Sequence, residues 1–316
     1  MRQSFRRFVL AALLVSASSL AAAAEAAPKV GLLLKGRSAF WTEVEKGAKD
    51  AAAKAGVELS IKAPMAETDI GVQVQMLNAL AAQGAEAIII APSSKEALAV
   101  PLASLAVKGV KIVVIDTPIA NKTASTFVGT DQHAAGAAAG RLLATLVDDA
   151  QEVALLRHTQ SGGATGQREI GALGSFRAVH PKNVVHSDIY VSAEPGKETE
   201  KAQFLLSQYP NARAILASST PGTLTMLKVL QGKNLAGKIK LVGFGFNLNP
   251  EVAAAIESGA LSGWVAQLPR EVGAKSVMAA HSLLKGETVP DHIYTDFVLV
   301  TKENLQEPKV QALLAR

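Results

Sequence analysis

"VGLLLKGRSAFWTEVEKGAKDAAAKAGVELSI", residues 30–61, decides the fold. It opens on an apolar run, Val30–Leu34, with none of the polar alternation of a strand that faces water. An amphipathic segment, Trp41–Ala55, follows, and Val57–Ile61 is a second short apolar run. Strand, helix and strand in that order make a crossover unit of a parallel sheet.

The pattern continues outward. Further strand-like runs are Ala87–Ile90, Lys111–Ile115, Ser125–Gly129, Val153–Leu156, Val184–Val191, Ala214–Leu216 and Lys238–Phe244. Helical segments lie between them at Val72–Gln83, Ala97–Lys108, Ala134–Asp148, Thr199–Gln208, Thr223–Leu230 and Glu251–Glu257. Thr68-Asp69, Ser93-Ser94 and Asn249-Pro250 stand where helices start, and Gly84, Gly109 and Gly259 where they stop. A βαβαβαβ block from Val30 to Ile115 and a second series from about Gln151 predict two α/β lobes. No Pro- or Ser-rich tether separates them.

Residues 1–27 are a different kind of polymer. Arg2, Arg6 and Arg7 precede the apolar run Phe8–Leu20 and the small-residue stretch Ala21–Pro28. This is the order of a secretory signal peptide, residues 1–26, cleaved after Ala24 or Ala26. The apolar core is too short to span a bilayer, which takes about 20 residues. The chain has no cysteine. That excludes disulfides, thiolate catalysis, thiolate-bound metal and a lipid-anchored N-terminal cysteine, and the combination fits a Gram-negative periplasm. Cleavage after Ala26 removes three basic residues and one acidic one, leaving 29 of 32 and 26 of 27, a net charge of +3. Such a scattered, modest charge gives no nucleic-acid footprint.

In open parallel sheets, ligands bind beyond the carboxyl ends of the strands. The residues there are Lys35 and Arg37 with Phe40-Trp41, then Pro92-Ser93-Ser94, Asp116, Asp131-Gln132, Arg157-His158 with Arg168, Ser218-Ser219, Phe246-Asn247 and Gln267. Polar groups of both charge signs beside a few aromatics suit a small polar ligand with a face to stack. Several have structural alternatives. Phe40-Trp41 either staples a helix start or meets ligand. Asp116 caps a turn or binds, with Pro118 disfavouring an ordinary helix cap. Asp131 caps a helix or sits in a hinge, and Arg157-His158 is a solvent pair or a ligand contact. "TQSGGATGQ", residues 159–167, offers backbone N–H groups but lacks the Lys-Ser/Thr of a phosphate loop. No H-E-x-x-H, G-x-S-x-G or dinucleotide fingerprint occurs, and the six histidines have no metal-ligand spacing. No enzyme activity, cofactor or metal is expected.

The stretches "LLLKGRSAFWTEVEKGAKDAA", "ALAAQGAEAIIIAPSS", "GVKIVVIDTPI", "FVGTDQHAAGAAAG", "KLVGFGFNLNPEVAAAIESGAL" and "VAQLPREVGAKSV" are similar to periplasmic sugar-binding proteins of the ribose/allose/galactose type, relatives of the effector domain of lac-repressor-like regulators. The resemblance runs from about Val30 to Val300. It implies the type I periplasmic binding fold: two doubly wound parallel-sheet lobes, 27–130 plus 268–295 and 131–267 plus 296–316. Three crossings join them near Thr130–Asp131, Gln267–Leu268 and Thr295–Phe297. It further implies a solute held between closing lobes and delivered to the membrane permease of an ATP-driven importer. The alternative partner is a histidine kinase or chemoreceptor.

By the same resemblance, Phe40 and Trp41 sandwich a sugar ring, Lys35 and Asp116 bind its hydroxyls, and Gln267 is the hinge glutamine, with Asp131 at the hinge beside it. Arg37, Arg168, Ser219, Phe246 and Asn247 complete the expected ligand set. The chain departs from the family at Thr117, at Ala172–Phe176 (no arginine, though Arg168 lies one turn earlier), at Ser218-Ser219 and at Gly245, where relatives place an aspartate. That loss, with Lys35, Arg37 and Arg168 retained, raises an anionic or modified sugar beside the neutral one.

Overall fold

A computed structural model describes residues 26–160, 163–191 and 196–314. The expected signal peptide, Ala26 apart, lies outside them.

The first sheet holds β1 (Lys29–Leu33), β2 (Glu58–Lys62), β3 (Ala87–Ile90), β4 (Lys111–Ile115), β5 (Thr126–Thr130) and β11 (His292–Thr295), in the order β11-β5-β4-β3-β1-β2. The second holds β6 (Glu152–Arg157), β7 (Val185–Tyr190), β8 (Ala212–Ala217), β9 (Lys240–Phe246), β10 (Gly263–Gln267) and β12 (Phe297–Val300), in the order β12-β10-β9-β8-β6-β7. All pairings are parallel except β10 with β12. The helices are α1 (Ala39–Ala55), α2 (Ile70–Ala82), α3 (Ala99–Val107), α4 (Gln132–Ala144), α5 (Gly163–Val179), α6 (Glu198–Gln208), α7 (Thr220–Gly232), α8 (Pro250–Glu257), α9 (Pro269–Leu284) and the short α10 (Pro308–Gln311).

Each sheet is covered on both faces, which is why its central strands are apolar without alternation. In the first lobe, Leu32, Val113 and Val128 pack with Val44 and Val277, while Leu33, Ile88 and Ile90 pack with Leu77 and Leu102 on the other face. In the second, Leu155, Val242 and Val265 meet Phe176, and Leu156, Ile215 and Leu241 meet Met226 and Leu230. The chain passes between the sheets after β5, after β10 and between β11 and β12, where Asp296 alone intervenes.

The sequence reading missed β10, β11 and β12 as strands. The last two are short edge strands with half-exposed residues, so no continuous apolar run marks them. Asn249 caps α8 by accepting from the Val252 N–H at 2.8 Å, and Asp131 caps α4 by accepting from the Ala134 N–H at 2.9 Å. Asp69 precedes α2 without a capping bond. α3 starts at Ala99 rather than Ala97, and α4 ends at Ala144 rather than Asp148.

Two helix pairs pack at backbone distance. A Cβ on Gly47 or Gly273 would overlap the carbonyl of Arg270 or Val44, joining α1 to α9. One on Gly136, Gly140 or Gly171 would overlap the carbonyl of Arg168, Ala172 or His133, joining α4 to α5. Gly140→Ala should therefore lower the melting temperature, by the equivalent of about 2 kcal/mol of overpacking. Gly174→Ala, with open space around the added methyl, should hold or raise it. Equal melting temperatures for the two variants would contradict the close packing.

Candidate functional site

The carboxyl ends of both sheets face a cleft of about 570 Å³. From the first lobe, the opening turn of α1 brings Phe40 and Trp41. Trp41 is 3% exposed and belongs to the core behind α1, but its indole Nε1 donates to Glu67 Oε1 at 2.8 Å across the cleft floor. The staple and the wall are thus the same ring. Phe40 sits edge-on to Trp41 at 5.0 Å and edge-on to Phe246 of the opposite lobe at 5.7 Å.

Lys35 Nζ donates to Asp116 Oδ2 at 2.6 Å and to Thr117 Oγ1 at 2.5 Å. Both members of this ion pair are 12% exposed. Asp116 holds a φ of 63°, a left-handed conformation that aspartate tolerates better than most residues, and it is not a helix cap. The turn aims its carboxylate into the cleft.

The second lobe supplies Arg168, 4% exposed, from the second turn of α5. Its Nε and Nη2 donate to Gln132 Oε1 at 3.1 and 2.6 Å, and its Nη1 to the Ser218 carbonyl at 2.5 Å. The guanidinium lies over the Phe244 ring at 4.4 Å. Burial pushes its pKa down to about 10, with Asp116 and Glu169 opposing, so it stays charged at neutral pH. Ser219 lines the cleft and caps α7, accepting from the Gly222 N–H at 3.3 Å. Gln267, at the end of β10, accepts from Gln132 Nε2 at 2.8 Å and also lines the cleft.

Arg157 and His158 part company. Arg157 turns away, donating to Glu169 Oε2 and the Tyr190 hydroxyl at 2.6 Å each. His158 lines the cleft. Burial lowers its pKa, the nearby Glu67 and Glu169 raise it, and Arg168 and Lys35 lower it. A histidine whose folded pKa is depressed withholds a proton that the unfolded chain takes up. Its stabilising effect is complete above about 6.5 and falls away as the pH drops below that value. Melting temperature should therefore fall more steeply from pH 7 to pH 5 in the wild type than in His158→Gln. Parallel slopes would refute this.

Lys35, Phe40, Trp41, Asp116, Arg168, Ser219, Phe246 and Gln267 come together around the cleft. Two expected residues do not. Arg37 is exposed and lines a separate shallow groove beside β2 and α2, because Lys35 takes the inward direction and the chain then turns outward to start α1. Asn247 has a φ of 52° and turns the chain toward α8, its carbonyl accepting from Trp264 Nε1 at 2.8 Å rather than its amide facing the cleft. Asp131 is the α4 cap just after the first crossing. Of the stretch 159–167, Ser161 and Gly162 lie outside the described residues, and Gly163, Ala164 and Thr165 line the cleft from the first turn of α5. Sequence reasoning passed over Glu67, although the same strand-end rule applied to β2 leads to it. It also gave no role to Glu169, which accepts from Ser218 Oγ at 2.7 Å behind the cleft wall.

The profile described as the periplasmic binding protein domain matches residues 30–288. The chain is 28% identical over 302 residues to the D-allose-binding periplasmic protein of Escherichia coli K12, covering 92% of this chain and 94% of that protein. It is 27% identical over 266 residues to the ribose import binding protein of the same organism, covering 84% and 87%. Among solved structures, a carbohydrate transporter solute binding protein from Agrobacterium radiobacter in complex with D-arabinose superposes with a TM-score of 0.84 at 27% identity, covering 92% of this chain and 99% of that one.

Proposed function

The chain belongs to the periplasmic binding protein family, and from that premise we propose that it captures a neutral, sugar-like solute and delivers it to the permease of an ATP-driven importer. The lobes that close on the solute are 27–130 plus 268–295 and 131–267 plus 296–316. The protein binds without turnover and works in the periplasm after losing its first 26 residues; the names of its relatives support binding and the periplasm, and the Arg-led apolar N-terminus supports the cleavage.

The observation that carries the reading is the charge balance of the cleft. Lys35 and Arg168 stand against Asp116 and Glu67, and Lys95 at the rim stands against Glu96. His158 is held toward its neutral form. An anionic solute drew support from Arg37 and from the missing aspartate, but Arg37 lies outside the cleft and Glu67 lies inside it. With Asp116 Oδ2 engaged by Lys35 and Thr117, Oδ1 has no partner among the described residues and is left to accept from a hydroxyl. Phe40, Trp41 and Phe246 offer apolar surface to the C–H face of a ring.

Calorimetric titration with D-allose, D-ribose, D-arabinose, sugar acids and sugar phosphates tests this. One-to-one binding of a neutral sugar is expected, and binding confined to the charged compounds would overturn it. Phe246→Ala should weaken that binding about tenfold, equivalent to about 1.4 kcal/mol, with little change in melting temperature because the ring is only half-buried.

A further inference from the structure

One face of α4 holds Arg168 by both its side chain and its backbone. Gln132, the first residue of α4, accepts two N–H bonds from the guanidinium through a single oxygen, Oε1. One turn later, Gly136 leaves the space that the Arg168 carbonyl occupies. Residues four apart share a helix face, so the grip on the head of the side chain and the fit to its backbone come from the same surface.

The bonds also orient a chain of amides. With Oε1 committed to Arg168, Gln132 Nε2 is the group that faces Gln267, and it donates to Gln267 Oε1 at 2.8 Å. Gln267 Nε2 is then left to donate to the Gly245 carbonyl at 3.4 Å. Every donor points away from the cation. Both glutamines are 7% exposed, so little water is at hand to replace a lost partner. Gln132 itself is not among the residues that line the cleft. It follows the first crossing between the sheets, and Gln267 precedes the second.

We infer that Gln132 is a positioning residue: it fixes the direction of the Arg168 guanidinium toward the ligand and ties that direction to the geometry of the crossings. A guanidinium carries five N–H groups. Gln132 and Ser218 take three, leaving one on each terminal nitrogen for the solute among the described residues. This rests on the reading of the cleft as a solute site, and the test separates the two.

The test compares the full mature chain with Gln132→Leu, Gln132→Asn and Gln132→Glu. The first readout needs no ligand. It is the solvent exchange of the Arg168 Nε–H, followed by nitrogen-15 NMR and assigned by its loss in Arg168→Lys. The second is the dissociation constant for whichever of D-allose, D-ribose and D-arabinose binds the wild type. Leu and Asn at 132 remove the acceptor or its reach, and each should speed exchange and weaken binding at least tenfold. Glu restores an acceptor for both N–H groups and should return exchange to within about twofold of wild type, but it has no N–H for Gln267 Oε1, so only part of the affinity should return. Asn, which keeps an amide in place, serves if Leu fails to fold. A lowered melting temperature with exchange and affinity unchanged in both variants would make Gln132 merely structural and overturn the inference. If none of the sugars binds the wild type, the proposed function fails, while the exchange rates still decide the role of Gln132.

Discussion

Gly245→Asp is expected to destabilise the protein by at least about 3 kcal/mol, read as a fall in melting temperature or in the denaturant midpoint. The Cβ of any side chain at 245 would overlap the indole of Trp264 on the adjacent strand, and Trp264 is only 2% exposed. Overpacking of this kind costs about 1–3 kcal/mol, and an unpartnered buried carboxylate adds several more unless it stays protonated. Gly245→Ala isolates the steric part. The cause is checked by a double-mutant cycle with Trp264→Ala, since residues that clash directly do not act additively. The double variant should lose about 1–3 kcal/mol less than the two single losses combined. Additive losses, or a Gly245→Asp protein as stable as wild type, would remove the indole as the reason for the glycine.

Asp116→Ala should abolish most binding, weakening it about a hundredfold or more, and should also cost about 2 kcal/mol or more of stability. The variant leaves the largely buried Lys35 ammonium without its opposite charge and takes from Arg168 one of its two attractive carboxylates. Breaking such a pair from one side strands the other charge. It also removes the acceptor aimed into the cleft. Two companions separate the contributions. Asp116→Asn keeps a residue that tolerates the φ of 63° while removing the charge, so it should match the alanine variant in binding more than in stability. Asp116→Ala with Lys35→Met removes both charges and should recover stability without recovering binding. If the single and double variants melted alike, the pair would have no structural role.

The fold was legible because its evidence is local. An uninterrupted apolar run such as Ile88–Ile90, fully buried on both faces, states its environment in its own composition. The strand-end rule then found most of the cleft, since it depends only on where runs stop. It could not say which way a loop residue points. Lys35 and Arg37 are chemically alike and lie two apart, yet of the two only Lys35 lines the cleft, because strand alternation ends at Leu33. Asn247 was legible as a polar residue after a strand, but its part is played by its backbone. Gly245 is the sharpest case. Along the chain it reads as an aspartate lost, whereas in space it is a glycine required by Trp264, a residue of another strand. The strand-end rule named Gln132, but its part was hidden for a related reason: its partners are Arg168 and Gln267, distant in sequence, and nothing in a glutamine after a helix cap announces them.

The edge-on contact between Phe40 and Phe246 joins two rings that belong to opposite lobes. Opening of the lobes, as the proposed function requires, would break it whatever solute lay between them. An aromatic pair of this sort is worth about 0.5–1.5 kcal/mol, which in an opening rate corresponds to a factor of about two to ten. Its consequence is therefore one of time. Under the proposed function, the two rings would help set how long a captured solute stays before release, since an importer's binding protein has to hold its cargo through diffusion to the membrane yet let go within a transport cycle. Dwell time could then be tuned at position 40 or 246 with little change in which solute is recognised.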